Sequence, residues 1–470
     1  MQSVKRIVQK AENGSLTAAV IGLGYVGLPL ALALADAGVK VIGVDVDPSK
    51  IRILSQGESY LTTAPSKRVA AAIASNRLVA TTDHAAVASA DATLIAVPTP
   101  LGAGRNPDMQ FVETTVRAIA PHLKKGSLLS LESTVYPGAT RETVLPILEA
   151  AGHEPGRDIL VSYAPEREDP GNSNFELADI PKVLAGFDAA SQEAANAVYR
   201  LISPSIREVS SLETAEAVKI TENVFRAVNI ALVNELKHIY GKMGVDIFEV
   251  VDAAATKPFG YMPFYPGPGL GGHCIPIDPF YLAWRARQLD TEARFVELAG
   301  EINSRQPEIV VETLERALKL HAGIELEGAS VLMIGIAYKK NVNDLRESPG
   351  LEVMSLLRRA GAKAEYHDPW TPSVGLTRQY PELAGLASVP MEGLGKFEAA
   401  VIITDHDDID YELLAAEIPL IVDETWMVVQ RKSSEHNILL RTSGAYYFRA
   451  RCPMSLRQKP SGQSMDSIPE

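Results

Sequence analysis

The stretch AAVIGLGYVGLPLALALADAGVKVIGVDVD, Ala18 to Asp47, admits two incompatible readings. Its first eighteen residues, Ala18 to Ala35, carry no charge and approach the length of a membrane-crossing helix. Three glycines and Pro29 interrupt that run, and Asp36 follows at once. The polar MQSVKRIVQKAENGS before it offers no apolar core for an export signal. The soluble reading fits better. Ala18 to Leu23 reads as a buried strand, Gly22 to Gly27 spells GLGYVG, and Leu28 to Ala37 makes a helix of small residues. VKVIGVDVD then supplies a second strand reaching Asp45.

A glycine motif alone says little, but this one follows an apolar strand and opens a helix. Glycines allow a tight turn and let a pyrophosphate approach the helix N-terminus, where backbone N–H groups are unpaired. Asp45 lies 23 residues after Gly22, placed to accept from both ribose hydroxyls. Its charge would repel a 2′-phosphate, so NAD is favoured over NADP. The bland alternative is a glycine turn that binds nothing.

Outward from this unit, ATLIAVPTP, SLLSLESTVYPG, DILVSYAPE and KVLAGFD alternate with helical stretches. That pattern predicts a doubly wound, mostly parallel sheet to about residue 205. From Leu212 to Tyr240 there is neither Gly nor Pro, which predicts one long helix, of the kind that bridges domains or forms a dimer seam. A proline- and glycine-rich loop follows, PGPGLGGHCIPIDP from Pro266 to Pro279, and then more helix to about residue 322. A second α/β pattern starts at SVLMIGIAYKK and continues through LEVMSLLRRAGAK, AEYHDPW, FEAAVIITDH and IPLIVDETW. The predicted class is α/β: two Rossmann-like doubly wound domains, 1–205 and 323–450, joined by a central helical domain, 206–322, with a polar tail at 451–470.

A net charge of −13 argues against a nucleic-acid surface, which needs clustered Lys and Arg. Hydrophobic content of 46% and charged content of 22% describe an ordinary soluble chain with ample core. Two cysteines make neither a disulfide framework nor a Cys-rich zinc site, and they point to the cytoplasm. One of the two, Cys274, sits in the tightly specified loop. A buried thiol or a metal ligand with His273 and Asp278 are alternatives, but no other Cys/His cluster has ligand spacing. Glycine turns that expose a thiol to a ligand suit a nucleophile. Lys219 and Asn223, at i and i+4, share one face of the long helix. A solvated lysine is the usual case; a desolvated one serves as proton acceptor or oxyanion partner. Glu166 follows a strand, where α/β sheets place ligand-binding groups, although most loop carboxylates are merely solvated. Lys339, Lys340 and Arg346 follow the first strand of the second α/β unit, a place suited to phosphates or simply a basic surface.

GLGYVG, VPTP, STVYPG, APERE, KITENVFRAVNIA, PGLGGHCIPIDP and GIAYKKNVNDLRESP stand in this order. Together they resemble the UDP-glucose/GDP-mannose dehydrogenase family over about residues 16 to 450. The resemblance implies an NAD-binding N-terminal domain, a dimer built on the middle helix, and a C-terminal domain for the nucleotide of a UDP-sugar. It implies two-step oxidation of the sugar C6 alcohol to a carboxylate, in the service of bacterial surface polysaccharide precursors. It assigns Cys274 to a thiohemiacetal and thioester, Lys219 to deprotonation and the oxyanion, Asn223 to positioning the sugar, and Asp278 to ordering water. Glu166 would assist thioester hydrolysis, with Thr134 near the nicotinamide. Gly22, Gly24, Tyr25, Val26, Gly27, Asp45, Lys50, Thr99, Thr134 and Arg346 would hold NAD. Glu166, Arg167, Lys219, Asn223, Gly271, Tyr338 and Lys339 would hold substrate, and no metal is implied.

After the glutamate, Arg167 and then EDPGN replace the aromatic-aliphatic residues usual in members using UDP-glucose or GDP-mannose. That resembles the branch acting on UDP-N-acetylhexosamines, especially UDP-N-acetylglucosamine; the manno and galacto isomers and UDP-glucose are the alternatives. A β-hydroxyacid dehydrogenase shares the glycine turn and the Lys-and-Asn helix but oxidises once. A non-catalytic sugar-nucleotide-binding protein would not oxidise at all.

Overall fold

The computed structural model describes residues 2–61, 63–167, 179–272, 275–377 and 379–425, and the backbone of 438–442 and 445–449. His273, Cys274, the EDPGN residues 168–172 and the tail 451–470 lie outside the described residues.

The polar N-terminal segment forms a helix, α1 (Gln2–Glu12). Val4, Ile7 and Ala11, three and four apart, are buried on one face, and Lys10 pairs with buried Asp91 at 2.8 Å. The charge-free run then divides into strand β1 (Thr17–Ile21) and helix α2 (Gly27–Asp36). Next come β2 (Lys40–Val44), β3 (Leu78–Thr81), β4 (Ala92–Ile95), β5 (Ser127–Leu131), β6 (Ile159–Tyr163), β7 (Lys182–Gly186) and β8 (Ile206–Glu208). Their order in the sheet is β3-β2-β1-β4-β5-β6-β7-β8. All neighbours are parallel except β6 and β7. Strands β4, β5 and β6 are buried at every position, as expected where both sheet faces are covered. The order reverses at β1, which opens a crevice beyond the carboxyl ends of the strands.

A helix from Leu212 to Lys242 runs on from this sheet, capped where Ser211 Oγ accepts from Thr214 N at 3.1 Å. The second sheet contains β9 (Ser330–Ile334), β10 (Lys363–His367), β11 (Ala399–Ile402), β12 (Leu420–Asp423), β13 (Ile438–Thr442) and β14 (Ala445–Arg449). Its order is β10-β9-β11-β12-β14-β13, parallel through β12 and antiparallel beyond it. Each sheet separates two apolar clusters, one on either face. Among the described residues no helix is long and apolar enough to cross a membrane.

The second sheet is tied to the long helix by a buried ion pair: Lys237 Nζ lies 2.5 Å from Glu424 Oε2, with both side chains only 6% exposed. Removing one partner strands the other charge without solvent, a cost of about 3–5 kcal/mol. Lys237→Met should lower the melting temperature measured by calorimetry, and adding Glu424→Leu should recover most of the loss. A single variant as stable as the parent would show that the pair ties nothing.

Candidate active site

The GLGYVG turn is built by contacts that only hydrogen at Cα permits. A Cβ on Gly22, whose φ is +88°, would meet Ala96 O at 2.5 Å, and one on Gly27 would meet Gly22 O at 1.7 Å. A Cβ on Gly24 would meet nothing within 4 Å, so this glycine opens onto free space at the start of α2, beside Tyr25 and Val26. That room, at a helix N-terminus, fits a pyrophosphate. Asp45 is 6% exposed and accepts from Leu23 N at 2.8 Å, Asp47 N at 3.0 Å and Lys50 Nζ at 3.0 Å. A carboxylate accepts about four hydrogen bonds. Two ribose hydroxyls therefore fit once Lys50, about one-third exposed at 32%, swings aside. Arg346 comes from the far end of the chain and lies 3.9 Å over the Tyr25 ring, its guanidinium held by Asp344 at 2.7 Å. Thr99 is buried, and its carbonyl accepts from Tyr281 OH at 2.6 Å. Thr134 is half-buried, next to Ser133, whose hydroxyl donates to Val97 O at 2.7 Å.

On the long helix Lys219 and Asn223 are buried, at 5% and 0% exposure, and Asp278 faces them at the start of the helix Asp278–Gln288. Asn223 Nδ2 donates to Asp278 Oδ2 at 2.5 Å while Arg226 donates to Asn223 Oδ1, which fixes the amide's orientation. Burial pushes the Asp278 carboxyl up to about 7, against the pull of the Lys219 charge, the Asn223 hydrogen bond and the Arg226 charge. One helical turn before Lys219, Glu216 is fully buried and accepts from Gly138 N at 2.6 Å and Thr140 N at 2.8 Å. Burial raises it too, to about 7. Its two bonds clamp the STVYPG turn, and with it Thr134, onto the helix carrying Lys219.

Glu166, at the end of β6, lies 3.3 Å from Lys182 Nζ, which is itself 2.6 Å from the buried Glu132. Arg167 points at the long helix: its Nε and Nη2 donate to Glu222 Oε1 at 2.9 and 2.5 Å, and Nη1 donates to Pro181 O at 2.6 Å.

The glycines of the PGLGG loop meet protein. A Cβ on Gly271 would lie 2.4 Å from the Tyr338 side chain, and one on Gly272 would lie 3.0 Å from its ring. Gly272 N donates to Arg346 O at 3.0 Å, so the loop is docked on the second sheet's first turn. The basic cluster of that turn divides: Lys340 pairs with Asp407 at 2.8 Å, Arg346 turns to Asp344 and Tyr25, and Lys339 is half-buried. Ile275, Pro276 and Pro279, chain neighbours of Asp278, form one wall of a cleft of about 480 Å³ that Arg105 and Tyr380 also line.

Three family models cover the chain in sequence. They are the NAD binding domain of the UDP-glucose/GDP-mannose dehydrogenase family over residues 16–203, its central domain over 213–305 and its UDP binding domain over 332–430. The chain belongs to the UDP-glucose/GDP-mannose dehydrogenase family. It is 33% identical to a UDP-N-acetyl-D-glucosamine 6-dehydrogenase of Pseudomonas aeruginosa, over 84% of this chain and 91% of that one. It is 36% identical to a UDP-N-acetyl-D-mannosamine dehydrogenase of Salmonella typhimurium, over 83% and 94%. The solved UDP-D-ManNAc dehydrogenase of Pyrococcus horikoshii superposes with a TM-score of 0.81 at 29% identity, over 91% of this chain and 99% of that one. This member of the family is thus an NAD-dependent oxidoreductase acting on a UDP-sugar.

Sequence reading of this dehydrogenase missed Glu216, Glu132, Lys182 and Glu222. Glu216 carried a usable signal, since it precedes Lys219 by one helical turn on the same face. The others owe their place to partners distant along the chain.

In both Asp278 and Glu216 the folded protein holds the proton more tightly than the unfolded chain does. Their stabilisation is full below the ordinary carboxylate range and is lost as pH rises through about 7. The melting temperature should therefore fall from about pH 5 to about pH 8. Asp278→Asn and Glu216→Gln should each flatten part of that slope in a calorimetric pH series. Unchanged slopes in both variants would place the titration elsewhere.

Proposed function

We propose that this dehydrogenase oxidises the C6 alcohol of a UDP-N-acetylhexosamine, UDP-N-acetylglucosamine foremost, to the uronic acid through a covalent intermediate on Cys274. The observation that carries the reading is the buried Lys219–Asn223–Asp278 cluster, with Asp278 four residues after Cys274 in the chain. Bound NAD supplies the hydride acceptor, in the cradle of Gly22, Gly24, Gly27 and Asp45.

The protein's own groups manage the protons and the oxyanions. Lys219 assists removal of the C6 hydroxyl proton as hydride leaves the carbon. The resulting aldehyde cannot surrender a second hydride until a nucleophile adds, so the Cys274 thiolate forms a C–S bond and the carbonyl oxygen becomes an oxyanion. Lys219 faces that charge, and Asn223, with one N–H and one lone pair still uncommitted by its two bonds, orients the sugar. Loss of the second hydride leaves a thioester. Water then adds to its carbon, Glu166 takes the water's proton, the C–S bond breaks, and sulfur departs as thiolate. Asp278, hydrogen-bonded to Asn223 and beside the Lys219 charge, orders that water.

The named relatives support an N-acetylhexosamine, as does the Arg167–EDPGN sequence. Arg167 acts in this reading through its place on Glu222, which shapes the wall beside the sugar. NADH released per sugar consumed should be two; one would mark a single oxidation, and none a binding protein. In the same assay kcat/KM should rank UDP-N-acetylglucosamine above its manno and galacto isomers and above UDP-glucose. Cys274→Ala should retain NAD binding and yield no acid, and acid made at the parent's rate would end the covalent reading.

The long helix also exposes Phe225, Leu232 and Ile239 at 47%, 51% and 46%, seven residues apart and so on one stripe. That stripe supports a homodimer sealed along this helix. Light scattering of Leu232→Glu should show monomers where the parent shows dimers; an unaltered mass would remove the helix from the interface.

A further inference from the structure

We infer, resting on the thioester reading above, that Lys182 is a positioning residue for the hydrolytic step, holding the Glu166 carboxylate toward the reacting carbon. In a parallel sheet only the carboxyl ends of strands reach the ligand crevice, and the first residue of each strand lies at the opposite edge. Strand β7, and β8 with it, runs against β6, so β7 delivers its first residue, Lys182, to the crevice edge beside Glu166. The register Ser162↔Gly186 and Tyr163↔Ala185, continued along both chains, sets Glu166 directly across from Lys182.

Lys182 is 4% exposed and carries three N–H donors. One is anchored on Glu132 Oε2 at 2.6 Å, behind which Tyr199 OH donates to Glu132 Oε1 at 2.5 Å. Another reaches Glu166 Oε2 at 3.3 Å, and Arg167 N holds the other oxygen, Oε1, at 2.6 Å. Both Glu166 oxygens thus have fixed donors. A buried lysine and one glutamate already form a neutral pair, so stability alone calls for no second carboxylate. Lys182 nonetheless reaches a second carboxylate, Glu166, at the crevice edge, which is where a carboxylate with chemical work belongs.

The test uses the full chain with UDP-N-acetylglucosamine and NAD in rapid mixing, following NADH and the intact mass of the protein. Lys182→Met should give a normal first burst of NADH, then steady turnover slowed by about 10- to 100-fold, with the acyl-enzyme accumulating. Glu166→Gln should accumulate the same adduct, and Lys182→Arg should regain most of the turnover. Because Lys182→Met leaves Glu132 unpaired, the double variant Lys182→Met/Glu132→Gln removes one charge of each sign and guards the fold; it should remain slow. Parent-like turnover by the double variant would show that Lys182 only neutralises Glu132, and would overturn the inference. An adduct in Glu166→Gln but none in Lys182→Met would overturn it while leaving the thioester reading intact. No adduct in either would fell the thioester reading and the role of Lys182 with it.

Discussion

A buried polar group must be met by a partner, and on the Leu212–Lys242 helix this constraint is applied five times along one stripe. Glu216, Lys219, Asn223, Asn234 and Lys237 all lie on its buried face. Leaving any one unsatisfied costs about 1–3 kcal/mol, and more for the charges. Each partner comes from a different segment. The STVYPG turn of the first sheet meets Glu216, and the helix after the cysteine loop brings Asp278 to Lys219 and Asn223. Asn303 meets Asn234, and Glu424 at the end of β12 meets Lys237. The helix thereby holds both sheets and the loop between them. The same demand that aligns the parts also strips water from Lys219 and Asp278.

Desolvation and chemistry are therefore not separable here. Asp278 is held near neutrality by burial, against an ammonium, an amide and a guanidinium that favour its charged form. A carboxyl shifted this way by burial beside specific charges is a mark of functional sites. The cofactor turn reaches the same centre from the other side. Arg346 on Tyr25 joins the second sheet to the GLGYVG turn, and the Arg346 carbonyl holds Gly272 N, two residues before Cys274. The cradle and the cysteine loop are thus keyed to one arginine.

What the sequence disclosed, and what it hid, follow from the range of the forces involved. The strand–turn–helix–strand of Ala18–Asp47 and the unbroken helix from Leu212 are local patterns, legible because periodicity and glycine sterics act over a few residues. Strand direction is not local. KVLAGFD reads as a strand either way, and only pairing shows that β7 runs backwards and so carries Lys182 to the crevice. The N-terminal segment was legible as polar, but its Val4, Ile7 and Ala11 face needed the period of a helix to be seen. The glycines before Cys274 read as turns that expose a thiol to a ligand; what approaches Gly271 and Gly272 in the structure is the Tyr338 side chain. That contact joins segments far apart in the chain, beyond the reach of local pattern.

The two sheets show how one structural device serves two ends. In each, an aspartate just after the second strand accepts backbone N–H groups from the glycine turn after the first: Asp45 from Leu23, Asp368 from Ile336 and Ala337. In each, the first glycine has positive φ and presses on a neighbouring backbone carbonyl, Gly22 on Ala96 and Gly335 on Thr404. They part at the next step. Asp45 has two backbone donors and one movable lysine, and Gly24 beside it opens onto free space. Asp368 is closed by Trp370 N, Thr371 N and His406 as well, and the place of the open glycine is taken by Ala337, which is fully buried. His406 accepts from Asn341 N through Nδ1, so its proton lies on Nε2, toward Asp368. With every acceptor position of Asp368 used, a ribose finds nothing to bind there. The second turn is closed and carries Tyr338 and Arg346 against the cysteine loop and Tyr25, while the first keeps acceptor capacity and open space of the kind a dinucleotide needs.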